Sequence, residues 1–299
     1  METQNPSYSS VLDAWYDKHR LRIKESTAYN YYKAIPSLKK YFSGVRVKEI
    51  TPEMAYDFVK HISGKVGVRT SARLYCKVLK MSLDFAVGCG YIYYNPCNDI
   101  AMPRPKRAEI DVFTVEEVYA LLDSSGPQWI KDGIMIAFRT GMRPGEIYVL
   151  KWSDINLDVG YISVQRALSR ASSLVKETKT PSGTRRIDID SKLISYLNSM
   201  PSRESSQYVF PAPKAGRHEY RVPWNLSSKL KAMCREAGVP QRNFYSLRHT
   251  HATILFEAGI HPKIVQERLG HSSIRITLDI YSHVAPTIQR QAVEELENI

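Results

Sequence analysis

The chain has 299 residues, 43% of them apolar and 24% charged, which leaves room for two domains that each bury a core, and no run approaches the ~18 consecutive apolar residues of a membrane span. Its four cysteines, Cys76, Cys89, Cys97 and Cys234, contain no CxxC pair, which argues against a disulfide framework or a zinc site and for thiols in a reducing compartment. Lysine and arginine outnumber aspartate and glutamate 42 to 30, a net charge of +12; such an excess favours a polyanionic partner, because cations set against phosphates release condensed counterions.

The stretch METQNPSYSS has no basic segment followed by an apolar one, so a cytoplasmic protein is expected. Residues 1–110 carry 18 basic and 10 acidic side chains, a net of +8, against +4 for residues 111–299. The first hundred residues read as helices joined by short turns. Val11, Leu12, Trp15 and Tyr16 make an apolar face at helical spacing. Thr51-Pro52-Glu53 supplies an N-cap, a proline at the first helical position and an acid in the first turn. Ala55, Phe58, Val59 and Ile62 continue that helix on one side. Leu74, Val78, Met81 and Phe85 form a further stripe, stopped by Gly88 and Gly90. The opposite face holds Arg69, Arg73, Lys77 and Lys80, a basic row suited to a nucleic-acid backbone.

Residues 101–111, AMPRPKRAEID, hold two prolines, three basic residues and no apolar period. They contain the linker (103–111) between a helical domain, residues 1–102, and a second domain, residues 112–299. Thr114-Val115-Glu116-Glu117 opens the second domain with a capping box, the hydroxyl accepting from the third helical N–H while Glu117 reaches back. Two helices, a β-rich middle and further helices follow. Tyr161–Val164, Leu174–Lys176 and Arg186–Ile189 read as short strands, the last two separated by the turn Pro181-Ser182-Gly183. The expected class is mainly α with a small antiparallel β-sheet, the second domain being α+β.

The chain has no GxxxxGK[ST] phosphate loop, no GxGxxG after a strand and no HExxH. Its carboxylates are scattered rather than grouped for a two-metal site, so any phosphate chemistry falls to side chains, with no cofactor and no metal. Four places supply them. In TGMRPGEI, Gly141 ends one helix and Pro144 begins the next, which sets Arg143 on a sharp corner where its guanidinium can fork onto two phosphate oxygens and Glu146 can brace it. In TKTPSGTRR, Lys179 lies on a polar turn from which an ammonium can protonate a leaving oxygen. Tyr245-Ser246-Leu247-Arg248-His249-Thr250-His251 opens a helix with an arginine near its start. The histidines two residues apart point away from each other and make a poor metal pair. In LGHSSIRITLDIYSH, His271 follows a helix-ending glycine, Ser272 or Ser273 can cap the next helix, and Tyr281 stands further along.

Taken in order, Arg143, Lys179, Arg248, His271 and Tyr281 resemble the catalytic set of the tyrosine recombinases, also called phage-type integrases. The resemblance extends over nearly the whole chain and implies a two-domain DNA clamp, with a SAM-like core-binding domain ahead of a catalytic domain. It implies a site-specific recombinase that integrates, excises or resolves a mobile element through a 3′-phosphotyrosine intermediate. Tyr281 is then the nucleophile, Arg143 and Arg248 bind the non-bridging oxygens, Lys179 protonates the leaving 5′ oxygen and His271 hydrogen-bonds the phosphate. The family has a histidine where this chain has Tyr245, and a phenol is a poorer proton acceptor than imidazole at neutral pH. His249 reads as facing another side of the helix from Tyr245, so it is not expected to substitute.

The implied partners are double-stranded DNA sites, a homotetramer on synapsed DNA, and accessory DNA-bending or directionality factors, with no membrane and a nucleoid location in a prokaryote. Few residues precede the first helix, so the additional arm-binding module of longer integrases is expected to be absent. Ile288, Ala292, Val293 and Leu296 fall at helical spacing near the end of the sequence, a segment that could cap its own domain and that the resemblance implies docks on a neighbouring protomer. Two other readings stay open: a type IB topoisomerase-like enzyme that relaxes DNA, and a non-catalytic DNA-binding regulator of the same fold.

Overall fold

The computed structural model describes residues 5–65, 69–100, 111–169, 175–177, 183–213, 218–223, 225–281 and 297, and for residues 65, 69–71, 176, 177 and 281 only the backbone. The chain divides into two compact units, residues 1–108 and 109–299. Among the described residues no helix is long and apolar enough to cross a membrane.

The first unit is helical: α1 (Tyr8–His19), α2 (Glu25–Tyr41), α3 (Pro52–Lys65) and α4 (Arg69–Gly88). Ser7 caps α1 by accepting from the Ser10 amide at 3.2 Å, and Thr51 accepts from Met54 at the start of α3. Tyr8, Val11, Leu12 and Trp15 are the buried face of α1. The proposed stripe on α4 is only partly the one that packs. Val78 is buried, but Leu74, Met81 and Phe85 are half-covered, and Ala72, Cys76, Leu79, Leu83 and Ala86 fill the interior. The reason is that α1, α2 and α3 all pack on α4, so small residues on several sides allow close approach and no single stripe suffices. Arg73 and Lys77 are exposed and Lys80 half-exposed, while Lys77 Nζ lies 5.6 Å from the centre of the Tyr31 ring. The Arg69 side chain is outside the described residues, as are all but Asp111 of the expected linker.

The second unit begins with α5 (Val115–Asp123) and α6 (Gln128–Thr140). The capping box forms as expected: the Glu117 amide donates to Thr114 Oγ1 at 3.2 Å and the Thr114 amide to Glu117 Oε2 at 2.9 Å. A short α7 (Pro144–Ile147) leads to β1 (Ile155–Asn156), β2 (Tyr161–Val164), β3 (Arg166–Leu168), β4 (Val175–Glu177) and β5 (Arg185–Asp188). Then follow α8 (Ser191–Asn198), α9 (Ser202–Ser205), α10 (Leu226–Glu236), α11 (Tyr245–Glu257), α12 (Pro262–Leu269) and α13 (Ile274–Tyr281).

The strands read from sequence are present, but β4 and β5, consecutive in the chain, are not partners. β5 pairs antiparallel with β2, in the order β1-β2-β5, and β4 pairs with β3 in a separate two-stranded sheet. Local alternation places strands but carries no information on which edge each one meets. In the β2–β5 ladder Ile162 lies opposite Ile187, and both are buried in the main core with Ile130, Ile134, Tyr148 and Leu247. That core holds α6 against α11; Arg143 lies just beyond the end of α6 and Arg248 within α11.

Candidate active site

The corner bearing Arg143 forms because Gly141 adopts a φ of 68° and ends α6, while Pro144 takes the first position of α7. Gly141 is required twice over: a side chain there would be strained, and its Cβ would stand 2.5 Å from Leu269 Cδ2. Arg143 then caps α7, its backbone amide donating to Glu146 Oε2 at 3.0 Å. Its guanidinium donates through Nη1 to Glu146 Oε1 at 2.7 Å and through Nη2 to the Gly270 carbonyl at 2.9 Å.

Arg248 comes from the first turn of α11, which starts at Tyr245 as the amide of that residue donates to Asn243 Oδ1. It is 4% exposed. Nη1 donates to the Gly141 carbonyl and Nη2 to the Leu269 carbonyl, each at 2.7 Å. Burial, and after it the charge of Arg143, pushes its pKa down to about 9, which leaves the guanidinium charged at neutral pH. The carbonyls take one hydrogen from each terminal nitrogen, so the group keeps donors for an anion.

His271 follows Gly270, which ends α12 with a φ of 67°. Its ring is buried, and Nδ1 lies 2.9 Å from Thr277 Oγ1 on α13. Burial, then the charges of Arg248 and Arg143, lowers it to about 3, so the ring is neutral at physiological pH. With the Thr277 hydroxyl as donor, the ring hydrogen would lie on Nε2. Tyr281 ends α13; its side chain lies outside the described residues, and so do Lys179 and residues 282–296 of the expected C-terminal helix.

Tyr245 is exposed and close enough to Arg248 to act on its charge. His249 corrects the reading of this helix. Four residues along α11 is about one turn, so it shares a face with Tyr245, and it acts electrostatically on His271. Burial and then Arg248 lower its pKa, and its Nδ1 is buried without a hydrogen-bond partner among the described residues.

Four residues of this neighbourhood were given no role in the site by the sequence, His251 having been weighed only as a metal ligand. Arg185 donates through Nε to the Arg268 carbonyl at 2.7 Å and through Nη2 to Glu146 Oε2 at 2.9 Å. Burial alone would raise the Glu146 carboxyl, but the charge and hydrogen bond of Arg185, and then Arg143, hold it below the usual carboxylate range. Arg268 donates to His251 Nε2 at 3.0 Å and to the Asp188 and Arg139 carbonyls. The opposite ring nitrogen of His251 therefore carries the hydrogen and donates to the Phe138 carbonyl at 2.8 Å. Thr277, completely buried, is the fourth. The available signal for Arg185 was its place two residues before the buried Ile187 on one strand, which turns it inward.

The site thus gathers three guanidinium groups around one carboxylate at the end of α12, beside a neutral imidazole. Residues 109–287 match the family model described as phage integrase family, and residues 7–63 match that of the phage integrase N-terminal SAM-like domain. A XerC-like tyrosine recombinase of Caldanaerobacter subterraneus subsp. tengcongensis is 32% identical over 253 residues, covering 74% of this chain but only 64% of that protein. The chain therefore spans less than two thirds of that relative's length. The Tn1549 transposon integrase, solved with transposon right end DNA, superposes with a TM-score of 0.80 at 19% identity, covering 97% of this chain and 99% of that one. A lambda integrase tetramer bound to a Holliday junction gives 0.73 at 20% identity, covering 93% and 78%. The fold is shared with these DNA-bound enzymes, and with its match over residues 109–287 this chain belongs to the phage integrase family, that of the tyrosine recombinases.

Proposed function

We propose that the protein cuts and rejoins DNA at specific sites, with Tyr281 as nucleophile, to integrate, excise or resolve a mobile element. The observation that supports this best is the surplus of cationic donors: Arg143, Arg248 and Arg185 face a single carboxylate, Glu146. Three guanidinium groups against one carboxylate leave a net positive charge, and a phosphodiester gaining charge at phosphorus would balance it. In the reaction the Tyr281 phenol gives up its proton to solvent as its oxygen forms a bond to phosphorus, the bond from phosphorus to the 5′ oxygen breaks, and Lys179 gives that oxygen a proton. Arg143, Arg248 and the Nε2–H of His271 donate to the non-bridging oxygens. One ester replaces another, so the step is nearly isoenergetic and reversible. Tyr245 stands where the family has a histidine and offers a hydrogen-bonding hydroxyl. A homotetramer on synapsed DNA is carried over from the lambda integrase assembly, and Arg69, Arg73, Lys77 and Lys80 are taken as backbone contacts.

The test starts from duplexes selected for binding out of a random pool, then nicked next to the cleavage position so that the cut fragment is lost. A covalent protein–DNA adduct is expected, and Tyr281→Phe should bind the same duplex without forming it. No adduct from the wild-type chain on any bound duplex would favour the regulator. Relaxed plasmid with no new junctions between two sites would favour the topoisomerase.

A further inference from the structure

Among the described residues Arg185 keeps at most one N–H for DNA, because four of its five are already taken. Its side chain is 6% exposed; Nε goes to the Arg268 carbonyl, Nη2 to Glu146 Oε2, and Nη1 to both Glu146 Oε1 at 3.3 Å and the Gly183 carbonyl at 3.1 Å. A guanidinium so occupied cannot fork onto a phosphate. What it does touch is the brace of Arg143. Glu146 is 3% exposed and is shared: Oε1 accepts from Arg143 Nη1 at 2.7 Å and Arg185 Nη1 at 3.3 Å, and Oε2 from Arg185 Nη2 at 2.9 Å. Without Arg185, the buried carboxylate would have Arg143 as its one remaining guanidinium partner in this cluster. The two would form a neutral pair, and the field that Arg143 presents to an anion would largely cancel.

We propose that Arg185 is a positioning residue of this site, which by sharing Glu146 keeps the charge and direction of Arg143 available to the scissile phosphate. The inference rests on the recombinase reading above and adds a specific role to it. Arg185 also anchors the start of β5 to the carbonyl of Arg268, one residue before the Leu269 carbonyl that holds Arg248. Both phosphate-facing arginines are therefore linked to it through one contact each.

The experiment compares single-turnover cleavage of two nicked duplexes, one with the natural phosphodiester and one with a methylphosphonate at the scissile position. The methylphosphonate lacks one anionic oxygen and needs less cationic stabilisation. Arg143→Ala should be impaired on the phosphodiester and much less so on the methylphosphonate. Arg185→Gln should slow phosphodiester cleavage roughly 10- to 100-fold, the range for removing a partner that orients a functional group, and should show the same relief. Arg185→Lys, which keeps the charge near Glu146, should recover part of the rate, and adding Arg185→Gln to Arg143→Ala should cost little more. Relief for Arg143→Ala but not for Arg185→Gln, or full additivity of the two, would overturn the positioning role. Absence of relief for Arg143→Ala itself would instead count against the recombinase assignment of Arg143. Arg185→Lys guards against misfolding: if it melts like wild type yet cleaves no faster than Arg185→Gln on the phosphodiester, the proposal is wrong.

Discussion

Arg143 and Arg248 hang from neighbouring carbonyls of one turn: Gly270 accepts from the first at 2.9 Å and Leu269 from the second at 2.7 Å. The carbonyl before these, of Arg268, accepts from Arg185. The last carbonyls of α12 have no partner within the helix, and they carry the negative end of its dipole, so cations suit them. Each arginine is thereby aimed without being neutralised by a carboxylate of its own.

Gly141→Ala should disrupt this arrangement from the other side. The αL backbone costs an alanine roughly 1–2 kcal/mol, and the new Cβ must displace Leu269, while the Gly141 carbonyl is itself a partner of Arg248. Both the melting temperature and the rate of adduct formation are expected to fall. A variant with lower stability but an unchanged rate would uncouple the corner from the site.

Thr277→Val removes one hydroxyl at nearly constant volume. His271 would then lose the hydrogen-bond partner of its Nδ1, the contact that orients the ring. Cleavage should slow by roughly tenfold or more, with DNA affinity and melting temperature close to wild type. Gel-shift titration and single-turnover cleavage on one duplex separate these effects.

His251 makes stability fall in mild acid. Burial, and then the charge of Arg268, lowers it to about 4, against about 6.5 in an unfolded chain. Between these values the unfolded state binds the extra proton. The contribution is therefore complete above about pH 6.5 and shrinks as pH drops towards 4, by up to about 3 kcal/mol. His271, lowered to about 3, acts in the same sense. Urea unfolding across this range should show the decline, and His251→Gln, which cannot titrate, should flatten but not abolish it.

The basic row on α4 should govern salt response rather than chemistry. If Arg73 and Lys77 each meet a phosphate, replacing both with alanine lowers the slope of log K against log salt by about 2, near 0.9 per contact. The cleavage rate at saturating protein should stay the same. An unchanged slope would remove these side chains from the DNA contact.

Lys179→Ala tests the acid. With sulfur in place of the 5′ leaving oxygen no proton is needed, so the variant should be slow on the oxygen substrate and near wild type on the sulfur one. Equal slowing on both would assign the proton to another group.

What the sequence determined by itself was local. Helix starts at Thr114 and Pro144, the glycine corners at Gly141 and Gly270, and the strand Tyr161–Val164 each depend on a few adjacent residues, and a few residues are enough to read them. Arg143, Arg248 and His271, which the structure brings together, could be picked out in order because each sits in such a local frame. Tertiary structure alone decided that β5 joins β2, that Arg143 reaches a carbonyl 127 residues away and Arg248 one 107 residues away. It also revealed Arg185, Arg268 and His251 as supports, whose partners lie on other elements. Periodicity reports which face of an element is apolar, whereas the choice of partner depends on how the whole core packs, and that depends on residues far apart in the chain.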